Sequence, residues 1–343
     1  MNPAQLSPAR YIHLLIAYLE GHGVDCAAVL ARFDIDRHTL AHPETQLQPL
    51  RALELFRALA SQRQASDIGL RVGKLLNFGA LGDVGRAMLS CANVQQALQC
   101  CAEYFPLVAP SFAMRITDSP TQLTLSWLPV RPVPYDFLGV AFDMAIGAMD
   151  SLLGTLLGDR MEGYEVYFTY PAPAHEPLYA RLTRARCHFN VPGMLSLRMT
   201  LDKAMLQAPC PMHSPGELAE LRKKLNLRLG QTPGQGSWTA WVRMMLEGAH
   251  GEQPSQVSLA TIVQVSSSTL ARYLAQEGTS FRKLANEVRH QRACRWLDEG
   301  QMRVSEIADK LGYADLPSFV RAFKAQSGCS PTQYAGTARA RSA

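Results

Sequence analysis

Toward the C-terminus the apolar positions settle into helical spacing twice. Val304, Ile307, Ala308 and Leu311 fall at i, i+3, i+4 and i+7, which is one apolar face of a helix. Gly312 follows, where a helix ends and the chain turns sharply. Phe319 and Phe323 then lie four apart on one side of a second helix, so both rings can pack against the first. Pro317, Ser318, Val320, Arg321 and Lys324 are left on or near the outer side. A short, partly basic helix propped on a hydrophobic partner has the shape that enters a DNA major groove.

The pattern predicts a second such unit from Val257 to Gly278. Leu259, Ile262 and Val263 supply one apolar face, Leu270 and Leu274 the other, and Ser266 or Ser267 is a natural N-cap for the second helix. Between the units, Phe281, Leu284 and Val288, continued by Ala293, Trp296 and Leu297, predict one helix from Phe281 to Glu299. At its full length that helix spans about 28 Å, and major-groove faces recur on one side of a duplex about every 34 Å. A rod of this size can hold two reading helices in adjacent grooves, with Arg282, Lys283, Arg289, Arg292 and Arg295 available to phosphates. A single helix-turn-helix pattern is a weak signal, because any helical hairpin resembles it. Two copies joined by one amphipathic helix are a much stronger one.

Ahead of residue 207, helical and strand patterns interleave. Helices are predicted at 9–20, 51–60, 84–104 with a break near Asn93, and 137–157. Alternation over 112–118 and 121–127, joined by Ser119-Pro120, predicts a β-hairpin, and further strands are expected at 165–170, 187–190 and 194–199. Two Pro/Gly-rich breaks, 207–216 and 230–237, bracket a helical run in which Ser214, Pro215 and Glu217 form a capping-box signature. The predicted organisation is an α+β N-terminal sensor domain at 10–206, a linker with a helix at 207–236, and an all-α C-terminal domain at 237–336. The last carries helix-turn-helix units near 258–277 and 304–327, joined by the long helix.

Composition sharpens this picture at a few points. The chain has 343 residues, enough for two domains with separate cores, and its 47% hydrophobic and 18% charged content is ordinary for a globular protein. The net charge of +5 is unevenly placed: 13 Lys/Arg face 9 Asp/Glu from residue 237 onward, against 21 and 20 before it. That is the direction phosphate binding requires. With no uninterrupted apolar run of about 18 residues and no cleavage pattern before Glu20, neither a membrane span nor a secretory signal is expected, and the cytoplasm is the expected compartment.

Eight cysteines without a CxxC pair read as reduced thiols, with a redox role left open for adjacent Cys100 and Cys101. Gly79, Gly82 and Gly85 do not form a GxGxxG fingerprint, and neither HExxH nor GxSxG occurs, so no cofactor, metal site or enzyme activity is expected. Phe78, Tyr104, Phe105, Phe112, Trp127, Phe142 and Phe168 are either core residues or the lining of a ligand cavity. Arg181, Arg184 and Arg186 are either an anion site or a solvated edge, and no effector-binding residue is assigned.

Three runs, GTSFRKLANEVRHQRACRWL, VSEIADKLGY and FVRAFKAQSGCSPTQY, resemble the linker helix, second unit and closing motif of the DNA-binding domain of AraC/XylS-family regulators. FGALGDVGRAMLSCANVQQALQCCAEYFPLV and HFNVPGMLSLRM resemble the arabinose-binding-like N-terminal domain of one branch of that family. The resemblance implies base-edge contacts from Ser267, Ser268, Ala271 and Arg272 in the first unit. In the second it implies Leu316, Pro317, Ser318, Val320 and Arg321, with Lys324 beside them. Arg272 and Arg321 can pair with guanine in bidentate fashion, the alternative being a phosphate or an intramolecular carboxylate.

In one respect the chain departs from the family. Members carry a few further residues, a glycine among them, between the helices of the first unit, whereas here IVQ runs straight into VSSST. Either the first helix is shorter or the turn is tighter. The expected function is a sequence-specific activator of transcription that answers a small-molecule effector. Its implied partners are double-stranded promoter DNA and RNA polymerase, with a homodimer admitted and no membrane. The alternative is a ligand-binding protein or enzyme whose C-terminal helices mediate protein contacts.

Overall fold

The computed structural model describes residues 7–41, 45–62, 67–182, 184–230, 237–249 and 253–335. Most of the break at 230–237 and the last residue of the predicted 237–336 domain lie outside the described residues. The chain divides into two compact units, one of Met1–Phe189 with Ser196–Gln235, the other of Asn190–Leu195 with Gly236–Ala343.

The first unit opens with β1 (Ser7–Pro8), α1 (Arg10–Glu20), α2 (Ala27–Arg32), α3 (Arg37–Ala41), β2 (Gln46–Leu47), α4 (Pro49–Ala60) and α5 (Ile68–Leu75). It continues through α6 (Asp83–Leu89), α7 (Val94–Val108), β3 (Phe112–Asp118), β4 (Gln122–Pro129) and α8 (Tyr135–Leu157). It closes with β5 (Tyr164–Phe168), β6 (Ala185–His188), β7 (Leu197–Asp202), α9 (Lys203–Leu206) and α10 (Pro215–Gly230). Five strands form a mixed sheet in the order β3-β4-β7-β5-β6, in which only β5 and β6 run parallel. The architecture is α+β, as the interleaved patterns predict.

The hairpin forms where predicted, its turn held by the Gln122 N–H donating to Ser119 Oγ at 3.0 Å. Leu123, Leu125 and Trp127 alternate inward along β4, the period-two signature of a half-buried strand. The break in 84–104 falls at Asn93, whose side chain caps α7 by accepting from the Gln96 N–H at 2.8 Å.

Helix α8 is long and apolar enough to cross a membrane by length and composition, yet it is the core helix of this unit, with Phe142, Ile146 and Leu153 buried. It crosses α5 closely enough that a Cβ on Gly73 would lie 2.5 Å from the Met144 carbonyl oxygen, and one on Gly147 would lie 2.7 Å from that of Leu70. Asp143, midway along α8, is buried but satisfied: it accepts from the Tyr179 hydroxyl and pairs with His175 Nε2 at 2.8 Å.

The helix expected in a linker is instead a packed element. α10 lies on α6 and α7 and buries Leu218, Leu221 and Leu225. Tyr104 donates to Asn226 at 2.9 Å, and Arg86 pairs with Glu217 at 2.6 Å. Leucines at i, i+3 and i+7 make an apolar stripe that a free linker helix would leave in water. The capping box is half formed: Ser214 Oγ accepts from the Glu217 N–H at 3.4 Å, while the Glu217 carboxylate turns to Arg86.

The second unit's main body is helical: α11 (Trp238–Glu247), α12 (Gln256–Ile262), α13 (Ser267–Gln276), α14 (Phe281–Glu299), α15 (Val304–Lys310) and α16 (Leu316–Ser327). α14 has the predicted bounds and serves two cores. Its first half buries Leu284, Ala285 and Val288, and α11, which no pattern predicted, packs on α13 and α14 with Trp241, Val242 and Met245 buried. Its second half sends Ala293 and Leu297 into a cluster with Ile307, Ala308, Leu311, Phe319 and Phe323.

Candidate nucleic-acid interface

Both helix pairs begin with a seven-residue helix, α12 or α15, and reverse through the same backbone device. In the second pair Gly312 takes a left-handed φ of +74°, and the Tyr313 N–H reaches back to the Ala308 carbonyl at 3.1 Å. In the first pair Gln264 takes that conformation at +56°, and the Val265 N–H reaches the Ala260 carbonyl at 3.1 Å. Val263–Ser266 thus stand where the second pair has Leu311–Asp315, one residue more. The turn of the first unit is thus one residue shorter than that of the second, with a glutamine in a conformation that glycine adopts freely.

Each second helix is capped. Asp315 Oδ1 accepts from the Ser318 N–H at 2.6 Å, and Ser266 Oγ accepts from the Thr269 N–H at 3.1 Å. Hydrogen bonds from the Ser318 side chain and backbone hold the Asp315 carboxyl below the usual carboxylate range. The negative charge sits where the helix dipole favours it.

In α16 the Phe319 and Phe323 rings anchor the helix, which leaves Leu316, Pro317, Arg321 and Lys324 exposed. Arg321 Nη2 donates to Ser318 Oγ at 3.2 Å and, among the described residues, forms no ion pair. Ser318 is half-buried, and Val320 packs against the hydrophobic cluster instead of standing free on the outer face. In α13 Ser268, Ala271 and Arg272 are exposed. Ser267 is half-buried, and its carbonyl accepts from Gln256 Nε2 at 2.8 Å. The Arg272 guanidinium lies 5.7 Å from the Tyr273 ring centroid.

The basic residues of α14 divide by partner. Arg282, Lys283 and Arg295 are exposed. Arg292 is not available to phosphate: its Nη2 donates to the carbonyls of Leu246, Glu247 and Ala249 at 2.7, 3.0 and 2.7 Å. Those carbonyls lie at the end of α11, where a helix leaves its last acceptors without internal donors. Arg289 is half-buried and donates to Asn286 at 3.4 Å. Glu277 works at the opposite end of α11, accepting from the N–H groups of Trp238 and Thr239, both at 2.8 Å, and from Ser237 Oγ at 2.9 Å. Burial pushes its pKa up, but the hydrogen bonds from Thr239, Trp238 and Ser237 outweigh that and hold it below the usual value. The sequence carried no signal for either cap, because each is made across a long separation in the chain.

Residues 23–210 match the family described as the arabinose-binding domain of AraC transcription regulator, N-terminal, and residues 259–337 match a helix-turn-helix domain. The ornithine utilization regulator of Pseudomonas aeruginosa is 25% identical over 338 residues, covering 96% of each chain. VirS, an HTH-type transcriptional regulator of Mycobacterium tuberculosis, is 25% identical over 329 residues and 91% of each chain. Among solved structures, the transcriptional regulator CdpR of Pseudomonas aeruginosa covers 93% of this chain and 98% of its own at 22% identity, with a TM-score of 0.45.

Proposed function

The chain belongs to the AraC family of DNA-binding transcription regulators, and from that premise we propose that the segment at 237–336 reads promoter DNA under control of a small molecule held by the segment at 10–206. The reading is of a cytoplasmic one-component activator without enzyme activity, acting with RNA polymerase and admitting a homodimer. The residues proposed to reach base edges are Leu316, Pro317, Ser318 and Arg321 from α16, and Ser267, Ser268, Ala271 and Arg272 from α13. Lys324, Arg282, Lys283 and Arg295 are proposed to reach phosphates, and Val320 to support α16 from beneath.

The observation that carries this reading is the division of α16. Its aromatic pair is locked into a core while Arg321 stands outward, close enough to help lower the Asp315 pKa but forming no ion pair with it among the described residues. A cation held this way on a capped helix is ready to meet guanine O6 and N7.

The test uses the full chain on promoter fragments recovered by genome-wide mapping of bound sites. Affinity should exceed that for random competitor DNA and fall steeply with added salt. Arg321→Ala should cost roughly 1–3 kcal/mol on the cognate site, as expected for one bidentate pair, with thermal unfolding unchanged. Equal affinity for cognate and competitor DNA under every effector tried would overturn the proposal. Full affinity in the Arg321→Ala variant would overturn the base-contact assignment alone.

A further inference from the structure

The first unit holds a partly open cavity of about 250 Å³ between α1, α4, α7, β3, β4 and α8. Of the aromatic residues that the sequence left open between core and cavity, Phe105, Phe112, Trp127 and Phe142 line it, joined by Phe56 and Phe137; Phe78, Tyr104 and Phe168 do not. Ala141, Ala145 and Ala148, one face of α8, leave the space open where larger side chains would close it. Protein interiors seldom leave voids larger than a water molecule, and a dry apolar void forfeits the contacts of its whole lining.

The lining chemistry selects the occupant. Among the described residues, no Asp, Glu, Lys, Arg or His contributes to the wall. The Tyr11 hydroxyl already donates to the Val108 carbonyl at 2.8 Å. Ser111, half-buried, and the exposed Pro132 also belong to the lining. A sugar or a zwitterionic amino acid buried here would lose its water without gaining partners, and unpaired buried polar groups are strongly disfavoured. An apolar cavity of about 150 Å³ takes up benzene, so this one has room for roughly ten non-hydrogen atoms on the same scale.

We propose that this cavity is a ligand site for a neutral, largely apolar molecule of that size, an alkyl chain or a substituted benzene ring with a single polar end toward Ser111. As the effector site it rests on the reading of this segment as the sensor, and it names the class of signal that the segment takes.

The test follows fluorescence of the full chain with 8-bromooctan-1-ol, whose bromine quenches a nearby indole. Of the four tryptophans, Trp127 alone lies in the first unit. Saturable quenching is expected, competed by octan-1-ol but not by L-arabinose or L-ornithine, and absent in Trp127→Phe. Ala145→Phe, which fills the cavity, should shift the quenching midpoint at least about tenfold, or roughly 1.4 kcal/mol, and Ala148→Leu serves the same purpose if that variant does not fold. Non-saturable quenching, quenching that persists in Trp127→Phe, or competition by the polar compounds would overturn the site. DNA affinity measured with and without octan-1-ol separates the two readings. Cavity binding that leaves DNA affinity unchanged supports the site and sinks its role as sensor.

Discussion

At the scale of single residues, identical side chains on one helix have opposite tasks. Arg292 and Arg295 are three positions apart on α14, yet Arg295 is exposed while Arg292 ties down the three carbonyls at the end of α11. Arg292→Ala should destabilise the C-terminal unit by about 1–3 kcal/mol, the usual range for buried acceptors left unpaired. The salt dependence of DNA affinity should stay as in the parent; a slope reduced by about one would instead make Arg292 a phosphate contact. His175 offers a test in the other unit. Its hydrogen bond to Asp143, opposed by burial and aided by the charges of Asp143 and Asp67, raises its pKa above the usual value. The folded state therefore holds this proton more tightly than the unfolded chain does. The stabilisation is complete below about pH 6.5, the ordinary histidine value, and is lost as pH rises through the raised folded pKa. Melting curves of the parent and His175→Gln should converge as pH rises through that window. A gap that does not change with pH would show that the pair does not titrate as argued.

At the scale of elements, turns and helix crossings decide more than helix propensity does. The reversal after α12 places Gln264 at a φ of +56°, in the role that Gly312 plays after α15. Gln264→Gly should stabilise the unit by roughly 0.5–1 kcal/mol, because glycine bears that conformation without a Cβ clash, although its looser unfolded state returns part of the gain. Chemical denaturation reads this directly, and a loss of stability would mean that the Gln264 side chain makes a contact worth more than the strain. α5 makes the converse point. Its sequence, IGLRVGKL, carries two glycines that lower helix propensity. Those same glycines let it approach α8 closely, and tertiary contact outweighs the local preference.

At the scale of the whole molecule, one rigid helix carries two small cores, so the two reading helices hang from a common rod. α14 is 19 residues long, about 28 Å, against a groove repeat of about 34 Å. Hydroxyl-radical footprints of the full chain should therefore show two protected patches one helical turn apart on the same face of the duplex. Arg321→Ala should weaken one patch and Arg272→Ala the other. A single patch, equally weakened by both variants, would mean that only one unit enters a groove.

Sequence by itself determined what local periodicity encodes: the bounds of α14, the cleaner second helix pair, the β3–β4 hairpin, the break near Asn93 and the family. Each rests on residues within a few positions of one another, where spacing alone dictates which side chains share a face. Tertiary structure decided the rest, because an apolar or charged face does not name its partner. It alone seated α10 in the first unit, drew Arg292 to the end of α11 and turned Val320 under α16. It also sorted four of seven candidate aromatics onto a cavity wall and buried the others.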